Sequence, residues 1–278
     1  MGRPRTSRRS SLFSALQQGK TYISGSGEWE PAGTAIASYN VHKCVGLDKR
    51  FDPERIATVI GEIDADIIAL QEADRRFGDR AGLLDLARLE RDCGLLPVPV
   101  TGRSNGHGWH GNLLLFRDGT VRDVHQIRLP GVEPRGALVV DLDLDAGPLR
   151  IVAAHLGLLR RSRAQQAEAI LAAVEADGAM PTLLLGDLNE WRLGSRSSLQ
   201  SLNPAFGPLT AGLPSFPSRF PLFALDRILG NPHNLVSAIE VHDTPLARIA
   251  SDHLPIKAWI DLDGAASQVP SQDGKIAA

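Results

Sequence analysis

Short apolar runs, each closing on a polar residue, recur along the chain. Thr34 to Val41 (TAIASYNV) reads as a first strand that ends around Asn40 and His42. Asp52-Pro53-Glu54-Arg55 is a helix start, with Asp52 as N-cap and Pro53 at the first helical position. Ile56, Val59, Ile60 and Ile63 then supply the helical apolar spacing. Asp66 to Ala73 (DIIALQEA) returns as a strand finishing on Gln71-Glu72, which completes a β-α-β unit. Leu83 to Asp92 fits an amphipathic helix. Asn112 to Phe116, Gly136 to Leu144 and Leu149 to His155 read as strands, the last two joined by a tight Asp-Ala-Gly-Pro turn. Ser162 to Ala176 reads as a helix with Ser162 as N-cap. It leads into Thr182 to Leu185, a run too short for a helix and bounded by Pro181 and Gly186. Ala224 to Leu229, Ser237 to Val241 and Leu254 to Leu262 complete the set of strands.

The polar ends of these runs carry the functional signal. Asn40, Glu72, His155, Asp187 with Asn189, Asp226, and the pair Asp252-His253 all stand at strand ends, where a polar group costs free energy unless it is paired. For Asp187 and Asn189 the expectation is that the strand stops at Gly186 and the chain turns there, so that both side chains serve one site. Residues of this kind in one repeated setting point to loop ends converging over a single pocket. Parallel returns mixed with hairpins, and helices between only some of the strands, predict an α/β fold of mixed sheets packed face to face with helices outside.

Length and charge refine this picture. A chain of 278 residues is long enough to bury a large core without staples, and its two cysteines, Cys44 and Cys93, make neither a disulfide framework nor a metal motif. No stretch has the apolar length of a signal peptide core or a membrane span, so a soluble, cytoplasmic protein is expected. The formal charge of −2 divides unevenly: Arg3, Arg5, Arg8, Arg9 and Lys20 give residues 1–20 a charge of +5, which leaves −7 for the rest. An acidic body of this kind does not hold long nucleic acid by electrostatics alone. The basic arm offers a weak contact with polyanions or with an anionic membrane surface. The expected organisation is a basic, flexible segment over 1–33, a catalytic domain over 34–262 and a flexible tail over 263–278.

Carboxylates with Asn and no Cys cluster suit a hard cation, Mg²⁺ or Mn²⁺, rather than Zn²⁺, with Glu72 the leading ligand candidate. His155 and His253 permit acid/base chemistry because imidazole titrates near working pH, and Asp226 could orient His253. No G-x-S-x-G elbow, reactive-cysteine context, Walker loop or dinucleotide glycine pattern is present. The residues alone reach metal-assisted hydrolysis at a converging site and stop short of a substrate.

The ordered set S-Y-N40-V-H, L-Q-E72, R135-G-A-L, A-H155-L-G, G-D187-L-N189, L-D226-R-I and S251-D252-H253 resembles the endonuclease/exonuclease/phosphatase superfamily, with its DNase I-like fold, from about Thr34 to Leu262. The resemblance implies a four-layer α/β sandwich, two mixed β-sheets face to face with helices outside, that hydrolyses phosphoesters with a divalent cation. By the same resemblance Glu72, Asp252 and Asn40 would form the metal side. His155 and Asn189 would face phosphate oxygens, Asp187 would position or deprotonate the attacking water, and Asp226 would pair with His253. Either Asp187 or His253 would be the base. Arg135, Asn112, His42, Trp109 and His110 form the candidate phosphate- or substrate-binding set. One departure is His42, which stands where several nucleases of the superfamily carry an acidic residue. The patterns N-x-H-K, H-G-N, D-x-N-x-W-R and F-P-x-x-F-P are most similar to a bacterial branch often encoded beside cardiolipin synthases, which points toward lipid-headgroup phosphodiesters. The alternatives are a DNA or RNA nuclease, a small-molecule phosphomonoesterase and a catalytically silent scaffold. Trp191, Phe216 and Phe220 read as packing residues.

Overall fold

The computed structural model describes residues 33–76, 78–101, 106–176, 178 and 180–262, together with the backbone of 21–22. The basic arm over 1–20 and the tail over 263–278 lie outside the described residues. The strands are β1 (Thr21–Tyr22), β2 (Thr34–Asn40), β3 (Ile67–Gln71), β4 (Leu96–Pro97), β5 (Leu113–Phe116), β6 (Thr120–Arg128), β7 (Gly136–Leu144), β8 (Gly147–His155), β9 (Thr182–Asp187), β10 (Asp226–Asn231), β11 (Val236–Val241) and β12 (Ile256–Ile260). The helices are α1 (Pro53–Ile63), α2 (Leu86–Cys93), α3 (Arg160–Ala176), α4 (Asn203–Phe206) and α5 (Ala247–Ala250).

The first β-α-β unit forms as its sequence dictates. The Asp52 side chain accepts a hydrogen bond from the Arg55 backbone N–H, Pro53 opens α1, and the chain leaves α1 through Asp64 in the left-handed region. Ile56, Val59, Ile60 and Ile63 are all buried, so β2 and β3 can lie side by side in parallel with the helix covering them. Around this pair one sheet runs β11-β12-β2-β3-β5-β4, with the two-residue β1 on its β11 edge; the other runs β10-β9-β8-β7-β6.

Alternation along the strands sorts the core into layers. Ile36, Ile67, Ala69 and Leu114 of the first sheet share one cluster with Leu138, Val140, Ile151, Ala153, Leu183, Leu185 and Ile228 of the second, so the two sheets pack face to face. The alternate residues point outward. Ala37, Tyr39, Ile68 and Leu70 pack on α1, while Val139, Val152 and Leu184 pack on Ala167, Ile170 and Val174 of α3. This is the four-layer α/β sandwich, with helix, sheet, sheet and helix in succession. Among the described residues no helix is long and apolar enough to cross a membrane.

Local departures from the sequence reading have physical causes. β9 does not stop at Gly186: the strand continues to Asp187, and Gly186 is paired with Arg227 on one side and Ala154 on the other. Gly186 is required for close approach instead, because a Cβ there would lie 1.8 Å from the Ala154 carbonyl oxygen and its φ is +142°. Ser162 is not an N-cap, since α3 begins at Arg160 and Ser162 is buried within its first turn. α2 starts after Asp85, whose side chain accepts from Arg88 N–H, so Leu83 precedes the helix. β6 carried no sequence signal because it is an edge strand paired only with β7, and its residues are largely exposed or half-buried.

Candidate active site

The inward parity that builds the core also aims the polar strand ends. Continuing from Ile151 and Ala153 places His155 on the inter-sheet side of β8; from Leu183 and Leu185 it places Asp187 there on β9. Asp226 shares a face with Ile228 on β10, and Asn40 shares one with Ile36 on β2. The register then aligns three of them in one row, with Asp187 opposite His155 on one side and Asp226 on the other. Glu72 follows β3 at φ +56°, and Asp252-His253 precede β12.

Asp187 is the centre of the site. Its Oδ2 accepts from Asn40 Nδ2 at 3.0 Å and lies 3.3 Å from His155 Nε2 and 3.7 Å from His253 Nε2. Its Oδ1 accepts from the Asn189 backbone N–H at 3.0 Å. The chain turns at Asn189, which has φ +51° and donates its Nδ2 to the Leu156 carbonyl at 3.0 Å. Burial works against a charge on Asp187, yet His253 and His155, with the hydrogen bonds from His155 and Asn40, hold its carboxyl well below the usual range.

His253 stands between two carboxylates. Its Nδ1 is 2.8 Å from Asp226 Oδ2, which also accepts from the Ser215 hydroxyl at 2.5 Å. Burial alone would lower the His253 pKa, but Asp226 and then Asp187 outweigh it and carry the imidazole up to about 10. The proton therefore stays on the ring at neutral pH, rather than titrating near neutrality as an isolated imidazole does. Phe216 packs against the ring with centroids 4.8 Å apart.

On the opposite wall Lys43 forms an ion pair with Glu72 Oε2. Burial resists the Glu72 charge, but His155, Lys43 and Arg135 outweigh it and hold the carboxyl below its ordinary range. Arg135 sits 2.9 Å from His155 Nδ1 and is held by Glu133 at 2.8 Å. His42 Nδ1 contacts the Val45 carbonyl at 2.9 Å and lies 3.7 Å from Asp252 Oδ1. Asn40, His42, Glu72, Arg135, His155, Asp187, Asn189, Asp252 and His253 thus line one open cleft of ≈ 430 Å³, with Asp226 behind His253.

Three expected site residues stand elsewhere. Asn112 is fully buried and donates to the Gly136 and Trp109 carbonyls at 2.9 and 3.1 Å, tying the start of β5 to β7. Trp109 is anchored through Nε1 to the Ile127 carbonyl, and His110 Nδ1 meets the Pro134 carbonyl in a small recess beside the cleft. Conversely the cleft includes Lys43, Arg76, Leu158, Arg163, Phe223 and Leu225, which the sequence reading did not select. Lys43 was within reach as the last residue of N-x-H-K; Arg76, Leu158 and Phe223 lie in loops without a periodic signal, Arg163 stands in the first turn of α3, and Leu225 immediately precedes β10. Trp191 and Phe216, read as packing residues, also line the cleft.

The carboxylates of Glu72 and Asp252 and the amide oxygen of Asn40 are the donor types a hard cation takes. Asn40 Oδ1 here accepts from the His42 N–H at 3.0 Å, and among the described residues no three His, Cys, Asp or Glu side chains are grouped to hold a metal ion. The donor types fit, provided that Lys43 gives up Glu72.

The chain belongs to the Endonuclease/Exonuclease/phosphatase family, whose model matches residues 37–253. It is similar to an endonuclease/exonuclease/phosphatase from Beutenbergia cavernae, with 22% identity over 81% of this chain and 70% of that one and a TM-score of 0.59. The mannosyl-6-phosphatase Bt3783 of Bacteroides thetaiotaomicron is 16% identical over 81% and 98% of the two chains, with a TM-score of 0.59. TDP2 of D. rerio, solved with a single-strand DNA product, is 15% identical over 82% and 98%, with a TM-score of 0.58. At these identities the likeness is one of fold. No curated protein sequence matches the chain.

Proposed function

We propose that the cleft hydrolyses a phosphodiester with the help of a divalent cation, Mg²⁺ or Mn²⁺. The observation that carries this reading is the meeting of Asn40, His155 and His253 around a single oxygen of an ionised Asp187. A carboxylate held this far below its ordinary range is a weak base, so its first task is orientation. It accepts a hydrogen from water, turns a lone pair toward phosphorus, and takes the proton only as the new P–O bond forms and the bond from phosphorus to the leaving-group oxygen breaks, that oxygen departing with the bonding pair. His155 and the imidazolium of His253 face the non-bridging oxygens, and Asn189 fixes the position of Asp187. A cation held by Glu72 and Asp252 would stabilise charge on the phosphoryl oxygens and the leaving group.

One feature favours a diester over a monoester. Leu158, Trp191, Phe216, Phe223 and Leu225 give the cleft an apolar wall that suits a second, non-polar substituent, as in a lipid headgroup diester. The test is a panel of bis(p-nitrophenyl) phosphate, p-nitrophenyl phosphate, phosphatidylglycerol and plasmid DNA in Mg²⁺ and Mn²⁺. Diester turnover that EDTA removes is expected; faster monoester turnover, cleavage of DNA alone, or no turnover of any substrate contradicts the reading.

A further inference from the structure

Three loops border the cleft, and each presents large apolar side chains to solvent. Leu158 and Leu159, between β8 and α3, are 66% and 54% exposed. Trp191, after β9, is 45% exposed and packs against Phe223 with ring centroids 5.5 Å apart, which joins the second loop to the third. The third is a hairpin closed by the Phe216–Phe223 bridge, with Phe220 and Leu222 in its turn at 68% and 71% exposure. Leu158, Trp191 and Phe223 also line the cleft, so the exposed apolar surface is continuous with its wall. A scattered exposed leucine needs no explanation, but a contiguous apolar rim around one opening does.

Arginines border all three loops of this rim, and the Glu133 carboxylate accepts from the Leu158 backbone N–H at 2.7 Å. Arg192 lies over the Trp191 ring at 4.2 Å and Arg219 over Phe220 at 5.8 Å, while Arg160 and Arg161 follow directly on Leu159 and are exposed. Aromatic and aliphatic side chains flanked by Arg match the boundary of an anionic bilayer, where apolar groups enter the acyl edge and guanidinium groups meet phosphates. A single-stranded nucleic acid would use aromatic platforms for stacking, and the leucines have no part in that.

We propose that this rim seats the cleft on an anionic phospholipid surface, so that the enzyme takes its diester from the membrane. The proposal rests on the phosphodiesterase reading and adds where the substrate is presented. Phe220 and Leu222 are the residues to change, because they lie on the rim and outside the cleft lining. The experiment is co-sedimentation of the full chain, wild type and F220S/L222S, with vesicles of phosphatidylcholine and phosphatidylglycerol at about 0.1 M and about 0.5 M salt. Contacts made only by charge, including any through the basic arm, fade at the higher salt.

Wild-type binding that persists at high salt and falls at least about tenfold in F220S/L222S is expected, because the variant removes two of the large apolar side chains that would enter the acyl edge. Turnover of soluble bis(p-nitrophenyl) phosphate and the melting temperature should be the same in both proteins, which excludes misfolding of the variant. Equal binding by wild type and variant overturns the proposal. So does salt-sensitive binding only, or rim-dependent self-association of the protein in sedimentation velocity without vesicle binding. Loss of soluble-diester turnover in the wild type would instead fail the phosphodiesterase reading, and vesicle binding remains a separate readout.

Discussion

Asp187 and Asp226 occupy directly opposed positions on β9 and β10, and the ring of His253 stands between them, 3.7 Å from one carboxylate and 2.8 Å from the other. Like charges opposite each other on paired strands repel, so the imidazolium is as much a structural need of this row as a chemical one. It follows that His253 and Asp226 act as a unit. If either alanine substitution alone lowers turnover on the order of a hundredfold, the double variant should be little worse than the slower single. A double-mutant cycle on a small diester measures this, and multiplicative losses would separate the two residues.

The same row sets a dependence of stability on pH. The folded pKa of His253 is raised from 6.5 to about 10, so its contribution is complete below the unfolded value and is lost as pH rises through about 10. Asp187 is depressed below 3.8, so its contribution is present above that value and is lost as pH falls. Melting temperature should therefore decline between pH 6.5 and 10 in the wild type and decline less in His253→Gln. An identical slope in the two proteins would show that the ring does not carry that charge.

Gly186→Ala should cost roughly 3 kcal/mol or more, because the new methyl group has no room beside the Ala154 carbonyl and the backbone conformation disfavours it. Urea denaturation gives the value. A loss under about 1 kcal/mol would mean that β8 and β9 separate easily at this point.

Asn112→Ala should act on stability rather than on substrate binding. Removing its amide leaves the buried Gly136 carbonyl without that donor, at a cost of about 1–3 kcal/mol, while KM for a small diester should stay within about twofold. A large rise in KM at unchanged stability would return Asn112 to the binding set.

Much of this site was legible because an apolar strand that ends on Asn40, Glu72, His155 or Asp187 breaks its own pattern at the position where the inter-sheet gap opens. The same alternation that buries Leu183 and Leu185 aims Asp187. What the pattern could not convey is contact between loops. Leu158, Trp191 and Phe223 have no common period, and their meeting depends on the ends of β8, β9 and β10 standing side by side. Asn112 illustrates the converse: a polar residue before a strand can be buried to close a loop as readily as to meet a ligand. The edge strand β6 escaped notice because a strand that is half-buried at most has no apolar run to reveal it.

The central claim is that an ionised Asp187 directs water at a phosphodiester with the aid of a divalent cation. Its most direct test is single-turnover hydrolysis of bis(p-nitrophenyl) phosphate by the wild type and Asp187→Asn, in saturating Mg²⁺ or Mn²⁺ and again in excess EDTA. Asp187→Asn keeps the shape and removes the charge, so turnover should fall on the order of a hundredfold or more while the fold persists, and EDTA should abolish wild-type turnover. Wild-type rates in Asp187→Asn, or full turnover in EDTA, would contradict the account.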